Sequence, residues 1–502
     1  MHPGSAGWQI GPPASVDARR GRVGYWPLSG RQGDRLTSPD ASRFDVVVIG
    51  GGASGALVAA HLLSGTAPAP TVALIEARTA PAEGVAYSTR RPEHLLNVRA
   101  AGMSALEDRP DDFVRFLRTL PEYVDAGLAE AGPDAPGARF MPRMVYGRYL
   151  GARLAERAGD RLRRVVDTAI DVVPATGGYD VRLASGQVLG AAAVVLAVGN
   201  RPACLPLGAD AASAQVESIE AWDYPAVAAI ATDADVCILG AGLSMVDVVL
   251  TLRANGHRGR ITSLSRRGLL PLEHAAPTPA AGLDVAELLP LGLRARMREV
   301  RRFAATEQAL GRPWQATMDA LRPHVQALWT SLDARAQACF LRHVVRQWDV
   351  HRHRIAPEVA RQVDEATRSG QLERLAGRLV AIEGGPRPGV AWQPRGTSEV
   401  ARFQADVLVN ALGMDKRIDR GPGLLARLCE RGLLSPGPHH IGAATTASGV
   451  PLGGDGAPVA GLWTLGALRV GDLWESIAMP ELRGQAPRVA EAVRAHLAAR
   501  GP

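Results

Sequence analysis

Twice in this chain a short apolar run passes directly into a glycine-rich turn and then into a helix of small, apolar residues. The first run is residues 44–49 (FDVVVI), followed at once by Gly50-Gly51-Gly52-Ala53-Ser54-Gly55. A short, mostly apolar run of this kind reads as a buried parallel strand. The turn contains G-x-G-x-x-G, carried by Gly50, Gly52 and Gly55. Gly50 permits the tight turn, Gly52 lets backbone approach a pyrophosphate, and Gly55 lets helix and strand pack closely. Residues 56–63 read as the helix, and Ser54 stands at its N-terminus, where free N–H groups and the positive dipole end face an anion. A second strand, 71–75, ends at Glu76, whose carboxylate can accept from ribose hydroxyls. A lone glycine fingerprint also fits a plain glycine turn. The strand before it, the helix after it and the acid at the end of the next strand make it a dinucleotide site.

The pattern recurs at 235–239 (DVCIL), followed by Gly240-Ala241-Gly242-Leu243-Ser244-Met245, where Met245 replaces the third glycine. A helix, 244–254, and a strand, 260–264, follow, ending at Ser265-Arg266-Arg267. Counting from the first glycine, Glu76 and Arg266 both stand 26 residues on (76 − 50 and 266 − 240). An acid at that place suits a free 2′-hydroxyl, whereas Arg266 and Arg267 suit a 2′-phosphate. The first unit is therefore read as the FAD site and the second as the site of NADPH (or NADH), with ordinary surface charge as the alternative for the two arginines.

Each unit also has an apolar closing strand. Residues 191–197 end in Val198-Gly199-Asn200, and 405–411 end in Leu412-Gly413-Met414. Near the C-terminus, 462–467 (LWTLGA) with Gly466, then Gly471-Asp472, reads as a strand and turn returning to the flavin, with Gly466 and Asp472 as cofactor-binding candidates. A helix over 480–499 then packs the chain end on the first domain. The expected fold class is α/β, with two Rossmann-like dinucleotide-binding domains, the NAD(P)H domain being inserted in a discontinuous FAD domain. The boundaries read as a flexible tail over 1–40, FAD domain at 41–205, NAD(P)H domain at 206–400 and FAD domain again at 401–502. Helical periodicity at 293–309 and 318–340 marks an insertion of about 275–355, read as a cap over the cleft, with a homo-oligomer contact as the alternative.

Composition excludes several classes. With 502 residues and 46% hydrophobic content the chain can build two or three cored domains. No apolar run is long enough for a membrane span, and Arg19-Arg20 is not followed by an apolar stretch, so a soluble, cytoplasmic protein is expected. The net charge of +7 is nearly all arginine scattered among acids, and aromatics are only 5%, so no nucleic-acid partner is expected. Cys204, Cys237, Cys339 and Cys429 include no C-x-x-C, which removes disulfide-reductase chemistry. His351 and His353 form H-x-H without an evident third ligand, so no metal is expected.

Several further segments resemble one bacterial family of FAD/NAD(P)-binding proteins that includes FAD-dependent urate hydroxylases and aspartate N-oxygenases. They are 84–89 (GVAYST), 94–100 (HLLNVRA), 146–150 (YGRYL), 240–247 (GAGLSMVD), 265–271 (SRRGLLP), 348–354 (WDVHRHR) and 473–485 (LWESIAMPELRGQ). The resemblance runs from about residue 45 to the C-terminus. It implies monooxygenation, with electrons from NAD(P)H, FAD as their carrier and O2 as the source of the inserted oxygen. It also implies that 94–104 approaches the flavin, where Asn97 could hydrogen-bond to the ring and His94 could move a proton, a satisfied loop residue being the alternative for each. Of the chemistries in that family, urate hydroxylation to 5-hydroxyisourate is the first expectation, with Arg352 and Arg354 as candidates for holding the anionic substrate and ion pairs within the cap as the equal alternative for them. Aspartate-type N-oxygenation, a partner-reducing NAD(P)H reductase and a non-catalytic redox sensor are the alternatives.

Overall fold

A computed structural model describes residues 43–65, 69–78, 80–124, 135–205, 217–279 and 282–500. The tail expected over 1–40 lies outside the described residues. The first domain contains β1 (Arg43–Ile49), β2 (Val72–Ile75), β3 (Leu162–Val165), β4 (Ala169–Ala175), β5 (Gly178–Leu183) and β6 (Val188–Leu196). The second contains β7 (Ile219–Glu220), β8 (Val236–Leu239), β9 (Ile261–Ser265), β10 (Leu372–Glu383), β11 (Gly389–Pro394), β12 (Ala401–Gln404) and β13 (Val407–Asn410). Then β14 (Leu462–Thr464) returns to the first sheet and pairs in parallel with β6.

The two sheets share a parallel core. The first runs β3-β2-β1-β6-β14 and the second β10-β9-β8-β13-β7. Their antiparallel meanders differ, because β5 and β4 extend the first sheet from β6 while β11 and β12 extend the second from β10. In β1, Val46 and Val48 enter one hydrophobic core and Val47 and Ile49 the core on the other face. In β8, Val236 and Ile238 face one core while Cys237 and Leu239 face another. Burial on both faces explains why neither strand alternates polar and apolar residues. Each buried branched side chain contributes roughly 1.5–3 kcal/mol relative to exposure.

The helix Met479–Ala499 sends Leu482, Val489 and Val493 into the core that also holds Leu57 and Leu62 of the helix Ala53–Leu62. The first domain is thus closed by the chain end, with the second inserted. Because β12 and β13 pair in the second sheet, the inserted domain runs past the expected boundary at 400. The cap lies between β9 and β10, beginning with the single helix Leu293–Ala309. The stretch expected to be helical over 318–340 is broken into Gln315–Leu321, Val325–Thr330 and Ala334–Cys339, with a π-turn at Phe340–Val344. Among the described residues no helix is long and apolar enough to cross a membrane.

Candidate functional site

The crevice at the carboxyl ends of β1 and β6, where neighbouring connections leave in opposite directions, is where doubly wound sheets bind ligands. A cavity of about 590 Å³ opens there, lined among others by Gly50, Gly52, Ser54, Glu76 and Gly199. Gly50 has φ +99°, and a Cβ on it would lie 2.3 Å from the Ala197 carbonyl oxygen. A Cβ on Gly55 would lie 1.8 Å from the Gly50 carbonyl oxygen. Both positions therefore exclude any side chain. Gly52 caps the helix Ala53–Leu62 without a side-chain hydrogen bond and with no acid in the first turn. Its N-terminal N–H groups are left to the cavity. Glu76 is pre-oriented, because Oε2 accepts from Gly51 N at 3.0 Å and Oε1 from Arg78 N at 3.1 Å. Asn200 adds a buried side-chain oxygen with no partner in the protein, at the same wall. The glycine cradle and this orphaned acceptor fit a dinucleotide.

Two further parts of this wall were not assigned from the sequence. Gly84, at φ +53°, meets Gly52 back to back, and a Cβ on Gly52 would lie 3.2 Å from the Gly84 Cα. The segment 422–425 also joins the lining. A glycine in the quoted GVAYST motif was the available signal for the first, and nothing local announces the second. Gly466 (φ +70°) presses against Ser54, and a Cβ there would lie 2.9 Å from Ser54 Oγ. Asp472 is not brought to the cavity wall. Its Oδ2 accepts from Thr445 N at 2.8 Å and from Thr445 Oγ1 at 2.6 Å, and burial pushes its carboxyl above the usual range.

The second cradle repeats the first. Gly240 has φ +128°, and a Cβ would lie 2.2 Å from the Ala411 carbonyl oxygen, the counterpart of Ala197. Gly242 caps the helix Leu243–Ala254 and has open space on its Cβ side. Ser244 Oγ accepts from Trp222 Nε1 at 3.1 Å. Sheet register corrects the residue count. Gly50 N donates to Ile75 O and Gly240 N to Leu264 O, so the counterpart of Glu76 is Ser265, and Arg266 stands one residue beyond. Equal counts hid a one-residue difference in how the two units are spaced. Arg266 is exposed and has no hydrogen bond or ion pair to the protein among the described residues. Partial desolvation by its neighbours, and then the charges of Arg346 and Arg267, hold its guanidinium below the ordinary range. Arg267 Nη2 donates to His343 O at 3.4 Å. Arg346, on the cap helix Val345–Arg352, thus completes a cationic group that calls for an anion; in sequence it lies 80 residues from Arg266 (346 − 266).

The expected catalytic trio is dispersed. His94 is fully buried, with Nδ1 2.8 Å from Thr89 Oγ1 and Nε2 2.9 Å from Thr251 Oγ1 on the second domain's helix Leu243–Ala254. Beside it Arg143 and Asp247 pair at 2.5 Å across the same junction. With both ring nitrogens occupied, His94 joins the domains and is not placed to carry a proton to the cavity. Asn97 is half-buried, and its backbone carbonyl accepts from His274 Nε2 at 2.9 Å. Arg352 Nε lies 2.7 Å from Glu475 Oε2, both side chains being buried, and Arg354 pairs with Asp319. Each arginine thus has a carboxylate partner, while Arg352 Nη2 and Arg354 Nε and Nη1 are buried without a hydrogen-bond partner. The four cysteines are free, and burial pushes the Cys237 thiol up to about 12.

Two cap-side histidines set a pH dependence. Burial lowers His274 to about 4, and burial with Arg352 lowers His353 to about 4. The unfolded chain takes up these protons first, so stability is full above the ordinary value of 6.5 and falls as pH drops from there towards 4. For a half-buried ring this is worth on the order of 2 kcal/mol. Thermal unfolding followed across that window should show a falling midpoint, flatter in His353→Gln. A midpoint independent of pH between those limits would contradict the burial of these rings.

Residues 47–201 match the model of a family described as FAD-NAD(P)-binding, and this segment is accordingly a FAD/NAD(P)-binding domain. A search of curated proteins finds no significant match. Among solved structures, an ornithine N-hydroxylase of Kutzneria sp. 744, with reduced FAD, NADP+ and L-ornithine, is 14% identical, with TM-score 0.63 over 90% of this chain and 99% of its own. The ornithine hydroxylase of Pseudomonas aeruginosa is 15% identical, with TM-score 0.62 over 91% and 100%. The L-lysine 6-monooxygenase of Pseudomonas syringae is 17% identical, with TM-score 0.61 over 90% and 99%. At such identities these likenesses establish the fold, that of a two-domain FAD/NAD(P)-binding flavoprotein.

Proposed function

We propose that this protein is a flavin-dependent monooxygenase that draws electrons from NADPH and inserts one oxygen atom of O2 into a small organic molecule. The observation that carries this reading is the pair of matched glycine cradles, one backed by Glu76 and the other by the unpaired Arg266 beside Arg267 and Arg346. FAD, when bound, supplies the redox chemistry and the reaction with O2. The chain's residues bind, orient and shield. Gly50, Gly52 and the helix N-terminus hold the pyrophosphate, Glu76 a ribose, and Asn200 offers an acceptor at the same wall. Gly240, Gly242 and Ser244 hold the second dinucleotide, and the arginines its 2′-phosphate. The cap roofs the cleft and excludes water.

The named structural neighbours hydroxylate amine nitrogens, which supports N-oxygenation as the chemistry to be assayed first. Urate hydroxylation remains the reading suggested by sequence resemblance, but Arg352 and Arg354 already have carboxylate partners in Glu475 and Asp319. The test is NADPH oxidation by purified holoprotein in air, with O2 uptake and product mass recorded for a panel of amines, amino acids and urate. Oxidation that yields only hydrogen peroxide with every substrate would move the protein to the reductase or sensor reading.

Coenzyme choice provides a separate check. A charged hydrogen bond is worth ~1.5–3 kcal/mol, so Arg266→Ala should weaken NADPH binding on the order of 10- to 100-fold and NADH binding much less. Arg346→Ala should act in the same direction, with smaller effect because Arg346 also pairs with Asp349 at 3.1 Å. Equal losses for both coenzymes would show that these arginines do not read the phosphate.

A further inference from the structure

A second cavity, of about 460 Å³, lies inside the cap. One stripe of the helix Leu293–Ala309, including Leu293, Met297, Val300 and Ala304, forms one wall. Trp314, Trp329, Trp348, Trp474 and Phe340 form much of the rest. Four of the chain's nine tryptophans therefore surround one space, in a protein with only 5% aromatics. A cap built only to cover the cleft would collapse onto such side chains, since interiors pack to the density of organic crystals. Here they hold a volume typical of small-molecule sites.

The polar groups of the wall narrow the occupant. Trp329 Nε1 donates to Gly471 O at 3.0 Å, and Trp348 Nε1 to Glu475 Oε1 at 2.5 Å. Trp474 Nε1 and Thr317 Oγ1 have no partner, although Trp474 is 5% and Thr317 1% exposed. Buried polar groups left without a partner are rare in native proteins, and these two leave a donor and a hydroxyl unmet in residues that line the cavity. No aspartate or glutamate lines the cavity. Arg296 is already spent on the carbonyls of Leu288, Leu289, Leu291 and Leu328. Arg301 also lines the cavity but is exposed to solvent, so a carboxylate could be met only at that outer edge; a charge buried among the tryptophans would find no counter-charge, and burying an unpaired charge is costly.

The cavity adjoins the nucleotide site. Trp474 and Glu475 follow each other at φ +46° and +51°, a strained pair of bulky residues in the left-handed region. Three residues after Trp474, Ile477 lines the first nucleotide cavity. Lys416, the chain's single lysine, places Nζ 5.2 Å from the Trp474 ring centroid and also lines a small pocket shared with Gly199, Asn200 and Ala467. Through Ile477 and Lys416, Trp474 thus connects the cap cavity with residues that line the first nucleotide cavity and the small pocket beside it.

Resting on the monooxygenase reading, we propose that the cap cavity is the substrate site and takes an uncharged, mainly apolar organic molecule with a ring or chain body and one hydrogen-bonding group. Indole is a suitable probe. Titrated into FAD-loaded protein by calorimetry, indole should bind saturably and perturb the visible flavin spectrum, whereas L-ornithine and urate should do neither. Ala304→Phe fills the cavity and should weaken indole binding at least ~10-fold while FAD content and circular dichroism stay unchanged. Thr317→Val keeps the shape, removes the orphaned hydroxyl and should weaken binding about 3- to 10-fold. The proposal is overturned if indole does not bind, binds both variants as it binds the parent, or binds without touching the flavin spectrum. It is also overturned if the parent is a dimer that Ala304→Phe dissociates and neither form binds indole, because the occupant is then a second copy. Loss of NADPH oxidation with indole binding intact counts against the monooxygenase reading instead.

Discussion

Gly52→Val is expected to yield a folded protein that purifies without flavin. The new Cβ would lie 3.2 Å from the Gly84 Cα, so that backbone must give by a few tenths of an ångström. The two methyls then occupy the face that a pyrophosphate must approach. Affinity for FAD should drop on the order of 100-fold or more, enough to lose the cofactor during purification. The measurement is the ratio of flavin absorbance to protein, beside circular dichroism as the fold control. Gly242→Val is the matched variant, because its Cβ side is open. It should weaken NADP(H) binding and leave the flavin in place. A folded Gly52→Val with stoichiometric FAD would mean that the pyrophosphate does not lie over that turn.

Arg352→Ala should destabilise the cap. The guanidinium and the Glu475 carboxylate lie 2.7 Å apart, with side chains 8% and 5% exposed. Removing one partner of a buried pair leaves the other charge uncompensated and typically costs about 3–5 kcal/mol. Glu475 also holds Trp348 and sits in the strained turn with Trp474, so the loss should spread into the aromatic wall. Unfolding should therefore begin at lower temperature, with tryptophan fluorescence changing before the flavin is released. Arg352→Met combined with Glu475→Leu removes both charges and should recover much of the stability. If Arg352→Ala unfolds like the parent and instead raises the KM for urate strongly, Arg352 is a substrate contact and the ion pair is incidental.

The contrast between the two predictions follows from how far apart the interacting residues lie. Gly50, Gly52, Gly55 and Glu76 act within one strand–turn–helix–strand unit, where backbone sterics over fewer than thirty residues set the geometry. The same local rule made Gly240 and Gly242 legible, and the alternation-free runs before them marked two buried parallel sheets. Arg352 and Arg354 show the opposite case. Their pattern fitted an anion site and cap ion pairs equally, because the partners Glu475 and Asp319 come from other elements and nothing near WDVHRHR names them. Asp472 was read as a cofactor ligand from its place after a glycine turn, and the fold turned it to Thr445. His94 was read as a proton carrier from its motif, and packing at the domain junction took both its nitrogens.

What the sequence by itself determined was the pair of dinucleotide cradles, their order along the chain and the return of the C-terminal helix to the first domain. These rest on glycine's freedom at positive φ, on Cβ exclusion and on the period of apolar burial, all of which act between near neighbours. Tertiary structure alone decided that Ser265, and not Arg266, is the counterpart of Glu76, because hydrogen-bond register depends on how strands slide against each other. It alone brought Arg346 to Arg266, and it alone enclosed the tryptophan-walled cavity. Ion pairs and cavities are made by side chains far apart in sequence, and their meeting depends on how helices and sheets pack.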